Sequence, residues 1–394
     1  MPLPETILQF GTGRFLRAFV DRFVQHANEG GQEVGRIVVV QSTASDRAGA
    51  ISSQPDGYHV LVRGYENGEM VERVEKVQSI SRAISAATDW PAVLAAARSP
   101  QLRYLISNTT ESGYKLDPTD KLTSLPPQSF PAKLTRVLWE RHQAGAPPLL
   151  ILPCELIERN AAKLLELVQQ QIRAWQLPVT FEPWVREECI WLNSLVDCMV
   201  TGAPADHPLA QHDPLLIHAE PYALWAIEKP AARPVNESGV LSGIFVQGGR
   251  FVDKSVRLFE HPAIQMVEHL GPYYLRKVRI LNGMHSAMTA KYLPQGFVTV
   301  QQVLKDKDAL RWVRGLLYEE IVPTIAYRVE GVAEFADQTF DRLRNPHLQH
   351  KLADIALHHA DKLRVRLQPT REEYERLFGK PPPRLVEALE ANLA

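Results

Sequence analysis

Short, nearly continuous apolar runs punctuate the first half of the chain and stop before its last third. Ile7–Phe10, Ile37–Val40, Tyr104–Ser107 and Leu149–Leu152 are each four residues long. Such runs suit strands buried on both faces of a parallel sheet. Between the first two, Leu16, Val20, Phe23 and Ala27 recur at steps of three and four, with Arg14, Arg17, Asp21 and Gln25 over much of the other side. That is an amphipathic helix. Strand, turn, helix and strand within about 30 residues predict a βαβ unit.

Further along, the stretch from Gly113 to Pro148 is rich in proline and polar residues. It reads as a surface excursion followed by one helix, Ala132–His142. A second proline- and glycine-rich stretch, Lys229–Gly249, reads as connecting or edge structure near a domain boundary. After about residue 268 the pattern becomes helical, over Lys277–Leu293, Val300–Tyr327, Asn345–His359 and Arg371–Phe378, with Pro294, Pro346 and Pro369 as punctuation. The expected fold is α/β: an N-terminal Rossmann-like domain with a parallel sheet (1–268), then an all-α C-terminal domain (269–394), with substrate between them.

Composition narrows the function classes. The 394 residues suit two cores. A net charge of −1 gives no basic excess for neutralising phosphates, so nucleic acid is not the expected partner. No run approaches the roughly 20 apolar residues of a membrane span, and the N-terminus carries no signal core. Cys154, Cys189 and Cys198 form no disulfide or metal-ligand pattern. Reduced thiols in a cytoplasmic protein are expected.

The segment Phe10-Gly11-Thr12-Gly13-Arg14-Phe15 follows the first strand and opens the first helix. Glycines there let a pyrophosphate approach a helix N-terminus. Leu16 stands where a third glycine would complete GxGxxG, so an ordinary strand-to-helix turn is the competing reading. The second strand ends in Gln41 rather than an acid. Gln41 can bond a ribose without excluding a 2′-phosphate, so NAD is favoured and NADP is left open.

The segment Lys277-Val278-Arg279-Ile280-Leu281-Asn282-Gly283-Met284-His285 carries the chemistry. With Lys277 at zero on a regular helix, His285 falls near about 80° and Asn282 near about 140°. A desolvated lysine can take an alcohol proton, an amide can donate to the developing alkoxide, and an imidazole can orient a hydroxyl. The alternative is a solvated basic helix start with a buried Asn and His.

The same segment resembles the KxxxxNxxH signature of the polyol-specific long-chain dehydrogenase family, also called the mannitol dehydrogenase family. GTGRFLRAF, ISNTTESGY, LPCELIERN and LVDCMVTG resemble further family segments, in order. FPAKLTR and RNPHLQHKL resemble its sugar-acid branch. The resemblance runs from about residue 6 to 367. It implies a Rossmann domain, a helical C-terminal domain, no metal and Lys277 as general base, with Asn282 and His285 holding the reacting oxygen and a substrate hydroxyl. Asn108 and Thr109, in the ISNTTESGY segment, are further candidate coenzyme contacts, and Glu111, just after a strand-like run, either contacts the nicotinamide side or merely caps a turn. Leu156 replaces an asparagine of the mannitol enzymes, and Cys198 replaces an arginine after Asp197.

A sugar acid needs cations in its pocket. Lys133, Arg344, Lys362 and Arg364 are candidates, with Glu155 and His350 as further substrate contacts. The expected activity is NAD-dependent reduction of a keto-uronate. A polyol or fructuronate enzyme of the same family is the nearer alternative, and a non-catalytic dinucleotide sensor the more distant one. Oligomeric state is left open.

Overall fold

The computed structural model describes all residues except 1, 44–45, 67, 231–245, 248–249, 252–257, 349 and 392–394. The stretch Lys229–Gly249, read as connecting structure, lies largely outside the described residues.

Fifteen strands are described. β1 (Glu5–Phe10), β2 (Arg36–Gln41), β5 (Ile80–Ser85), β6 (Tyr104–Ser107), β7 (Leu150–Pro153) and β8 (Ile190–Trp191) form a parallel sheet in the order β5-β2-β1-β6-β7-β8. Successive strands run outward from β1 on one side and outward from β6 on the other. A crevice therefore opens at the carboxyl ends of β1 and β6, where the winding reverses. Consecutive residues face opposite layers: Ile7, Ile37 and Ile106 pack into one core, and Leu8, Val38 and Leu105 into the other. Coverage on both faces explains why these runs are almost wholly apolar.

Two further sheets were not evident from the pattern. β3 (Tyr58–Glu66) and β4 (Glu69–Val77) form an antiparallel hairpin that joins β10 (Val200–Gly202) and β11 (Ile217–Ala219) in the order β10-β11-β3-β4. β9 (Ser194–Asp197), β12 (Leu224–Glu228) and β15 (Ile264–Val267) make a three-stranded sheet with β12 central. β13 (Val246–Gln247) and β14 (Arg250–Phe251) form a short ribbon. The second sheet overturns the outward face expected for the first helix. Arg17 and Asp21 are buried, with the Arg17 guanidinium donating to the Leu215 carbonyl and the Tyr58 hydroxyl donating to the Arg17 carbonyl. That helix also breaks at Phe19, between Arg14–Ala18 and Val20–Glu29.

The excursion after Gly113 leads into a helix over Phe130–Gln143, longer than read, with Ser129 as its N-cap. Beyond residue 268 the described chain is helical, but its segmentation differs from the expectation. Asp306 stops one helix and caps the next, dividing Val300–Lys305 from Lys307–Gly315. The stretch Asn345–His359 is not one helix: among its described residues it holds Leu352–Ala356 and, at its end, the first residue of the next helix, His359–Arg366. A helix over Val332–Leu343, absent from the sequence reading, packs Phe335, Ala336 and Phe340 into the C-terminal core. None of the described helices is long and apolar enough to cross a membrane.

Candidate active site

The glycine turn lies at the carboxyl end of β1. Gly11 has φ +140°, and a Cβ there would sit 3.0 Å from Leu16 Cδ1 and 3.1 Å from the Asn108 carbonyl oxygen. Only glycine fits that approach without strain. A Cβ on Gly13 would meet nothing within 4 Å, so the chain leaves this face open. Exposed backbone at the mouth, a helix opening at Arg14 and the reversal of strand order suit a dinucleotide pyrophosphate.

The neighbouring candidates divide. Gly13 and Arg14 are exposed at the mouth and Thr12 is half-buried. Phe15 stacks on Phe19, and Phe10 is a core residue 5.4 Å from the Phe130 ring. Gln41 turns its amide inward, accepting from the Ala48 N–H at 2.6 Å and donating to the Thr43 carbonyl at 2.9 Å. The Asn108 amide donates to the Cys154 carbonyl, which ties the end of β6 to that of β7. Glu111 begins a 3-10 turn, Glu111–Gly113, and its side chain lies outside the described set.

Glu155, expected at the substrate, is buried and holds the β6 loop instead. Its carboxylate accepts from Thr109 N–H, Thr109 Oγ1, Ser107 Oγ and Tyr114 OH, all within 3.1 Å. Burial pushes its carboxyl upward against those donors. Lys133 is not brought to this region either. Its ammonium donates to the Gln128 carbonyl and lies 3.5 Å from the Ser42 carbonyl, at the end of β2.

Lys277 sits in one continuous helix from Gly271 to Tyr292, whose middle, Lys277–Asn282, is a π-helical turn. The angles of a regular helix therefore do not hold. A π turn bonds residue i to i+5, so it brings Asn282 closer in phase to Lys277 than an α-helix would. The side chain of Lys277 is buried, the residue being 7% exposed. Its ammonium donates to the Val196 carbonyl at 2.5 Å and lies 3.9 Å from Asp197. Burial is the largest influence and lowers its proton affinity; Asp197 opposes this, while Arg342 and Arg366 add to it.

Eight residues on, His285 is buried, and its Nε2 has no hydrogen-bond partner among the described residues. Burial, helped by His350, Arg366, Arg342 and Lys362, holds it well below the ordinary imidazole range. The His350 ring meets it edge-on at 4.6 Å. Lys362 and Arg366 belong to the helix His359–Arg366. Lys362 donates to the Ile355 carbonyl and Arg366 to Ser286 Oγ, beside His285. Arg344 and Arg364 stand apart, exposed and paired with Asp341 and Asp361.

Three charged groups at this centre were missed. Arg342 is 4% exposed, and Asp197 and Glu220 raise its proton affinity against the effect of burial. It grips Asp197 with two bonds of 2.9 and 3.0 Å and Glu220 with two of 2.8 and 3.0 Å. Its guanidinium lies 4.0 Å from the centre of the Tyr222 ring. In sequence, Arg342 was hidden beside the more conspicuous Arg344 of Arg344-Asn345-Pro346. Glu220 follows β11 and carried no motif. Arg366 was passed over for its exposed neighbour Arg364.

Comparisons with known proteins agree along the whole chain. The mannitol dehydrogenase Rossmann domain matches residues 5–237, and the mannitol dehydrogenase C-terminal domain matches residues 269–389. Altronate oxidoreductase of Bacillus subtilis (strain 168) is 36% identical across 99% of this chain and 79% of its own length. That of Klebsiella pneumoniae (strain 342) is also 36% identical, across 99% and 80%. Among solved structures, Pseudomonas fluorescens mannitol 2-dehydrogenase, in ternary complex with NAD and D-mannitol, has a TM-score of 0.75 at 19% identity, covering 98% of this chain and 78% of that one. A substrate-free D-sorbitol dehydrogenase gives 0.74 at 21% identity, covering 95% and 77%. These two likenesses show the fold.

Proposed function

The chain belongs to the mannitol dehydrogenase family, and on that footing we propose that it reduces a keto-uronate to its hydroxy acid, tagaturonate to altronate, with Lys277 as the acid/base. It is an NAD-dependent oxidoreductase acting on CH–OH groups. The coenzyme, when bound, supplies or accepts the hydride.

The observation that carries the proposal is the placement of Lys277: buried, anchored on the Val196 carbonyl and 3.9 Å from Asp197. An amine removed from water releases its proton near neutral pH more readily than a solvated one. Protonated Lys277 donates to the ketone oxygen during reduction, and neutral Lys277 accepts the alcohol proton during oxidation. Asn282, the last residue of the π turn, donates its amide to the same oxygen. His285, held neutral, offers its unpartnered Nε2 to a neighbouring substrate hydroxyl.

Positive charge on the His285 side favours an acid over a neutral polyol. Arg366 and Lys362 both act on His285, and a carboxylate there meets charge-assisted donors. The altronate oxidoreductases support this choice. Coenzyme absorbance with tagaturonate, fructuronate, fructose and mannitol tests it. Fast turnover of tagaturonate, at least about tenfold above the neutral sugars in kcat/KM, is expected; a pocket that prefers fructose or mannitol overturns the uronate assignment.

A further inference from the structure

Lys277 does not face Asp197 alone. The β9 end brings Val196, Asp197 and Cys198 to it, the helix Val332–Leu343 brings Arg342, and the helix His359–Arg366 brings Arg366. Behind Asp197, Arg342 bridges to Glu220, which also accepts from the Met199 N–H. Burial pushes the Glu220 carboxyl up, but a group accepting three N–H bonds, two of them from a guanidinium, is held as the carboxylate. Counted as Lys277, Arg342, Asp197 and Glu220, the cluster is neutral only while the lysine is protonated. Losing that proton leaves these four with one negative charge in excess, which Arg366 offsets only from outside the cluster.

We propose that Arg342 and Glu220 are positioning residues that tune the proton affinity of Lys277 through Asp197, so that the acid/base exists in its working state only when the two halves of the chain are docked. The inference rests on the reading of Lys277 as the acid/base. Arg342 divides one guanidinium between two acids. The more of it Asp197 holds, the less Asp197 favours the lysine's charge. Val196, Asp197 and Glu220 come from the N-terminal sheets, whereas Lys277 and Arg342 come from the helical part. Neither half contains the cluster by itself.

The signs follow from charge. Removing the negative charge of Glu220 leaves Arg342 wholly to Asp197, and Lys277 holds its proton less tightly. Removing the positive charge of Arg342 leaves two acids beside the lysine, and it holds the proton more tightly. E220Q therefore lowers the midpoint of Lys277, and R342Q raises it, each by about one pH unit. R342K keeps the charge without the fork and returns the midpoint toward that of the parent.

The midpoint is read by NMR titration of side-chain-labelled lysine in the full chain without substrate, with the Lys277 signal assigned from K277M. The pH limb of kcat/KM is measured beside it, and NADH affinity serves as the control for folding. Opposite shifts in E220Q and R342Q support the proposal. Unmoved midpoints, or shifts in one direction, overturn it. If R342Q does not fold, the isosteric E220Q decides alone. The two readouts separate the layers: an immobile midpoint with a matching kinetic limb defeats the coupling, and a moving midpoint with an unrelated limb defeats the acid/base role.

Discussion

At the scale of single residues, the site turns on what burial does to charge. Lys277 and His285 are both taken out of water, which disfavours their charged forms. Arg342, buried as deeply, keeps its charge because two carboxylates hold it. Arg366 has a different part, as the cation beside His285 and Ser286. Arg366→Ala is expected to raise KM for a keto-uronate about 10- to 100-fold, the loss of one hydrogen bond to a charged group, with KM for an uncharged ketose nearly unchanged. Equal losses on both substrates would remove Arg366 from carboxylate recognition. Sequence spacing brought Lys277, Asn282 and His285 forward because they share one helix. It did not bring Asp197, Glu220 and Arg342 together, because their meeting is set by three separated chain segments. Equally, the sequence could not show that Glu155 and Gln41 are occupied by their own loops.

At the scale of elements, what was legible is what local periodicity encodes. Four strands of the parallel sheet were readable because double-sided burial makes them apolar throughout. β4 was not, since its exposed face, Met70, Glu72, Val74 and Lys76, mixes apolar and charged residues and alternates with half-buried positions, as an edge strand covered on one side does. Val332–Leu343 was missed, although its apolar positions Val332, Phe335, Ala336 and Phe340 have helical spacing. The π turn at Lys277 was not legible because it adds a residue to one turn without altering composition. The glycine turn gives a direct test. Gly11→Ala places a methyl group against Leu16 and the Asn108 carbonyl at a positive φ. It is expected to cost about 1–3 kcal/mol of stability and to weaken NADH binding, measured by thermal unfolding and fluorescence titration. Unchanged NADH affinity would mean that the turn does not cradle the coenzyme.

At the scale of the whole molecule, the halves meet through buried polar contacts rather than an apolar seam alone. Asn345 donates to the Arg63 carbonyl beside Gly64, whose missing Cβ leaves room for the amide, and Arg342 closes on Asp197 and Glu220 nearby. This docking puts the lysine of the helical half against a carbonyl of the β-rich half. The measurement that tests the account most directly is steady-state reduction of tagaturonate by Lys277→Met, with NADH binding measured on the same preparation. The account predicts turnover lower by about 10²- to 10⁴-fold, with NADH affinity within about twofold of the parent. Turnover that survives the substitution, with the coenzyme still bound, would contradict it.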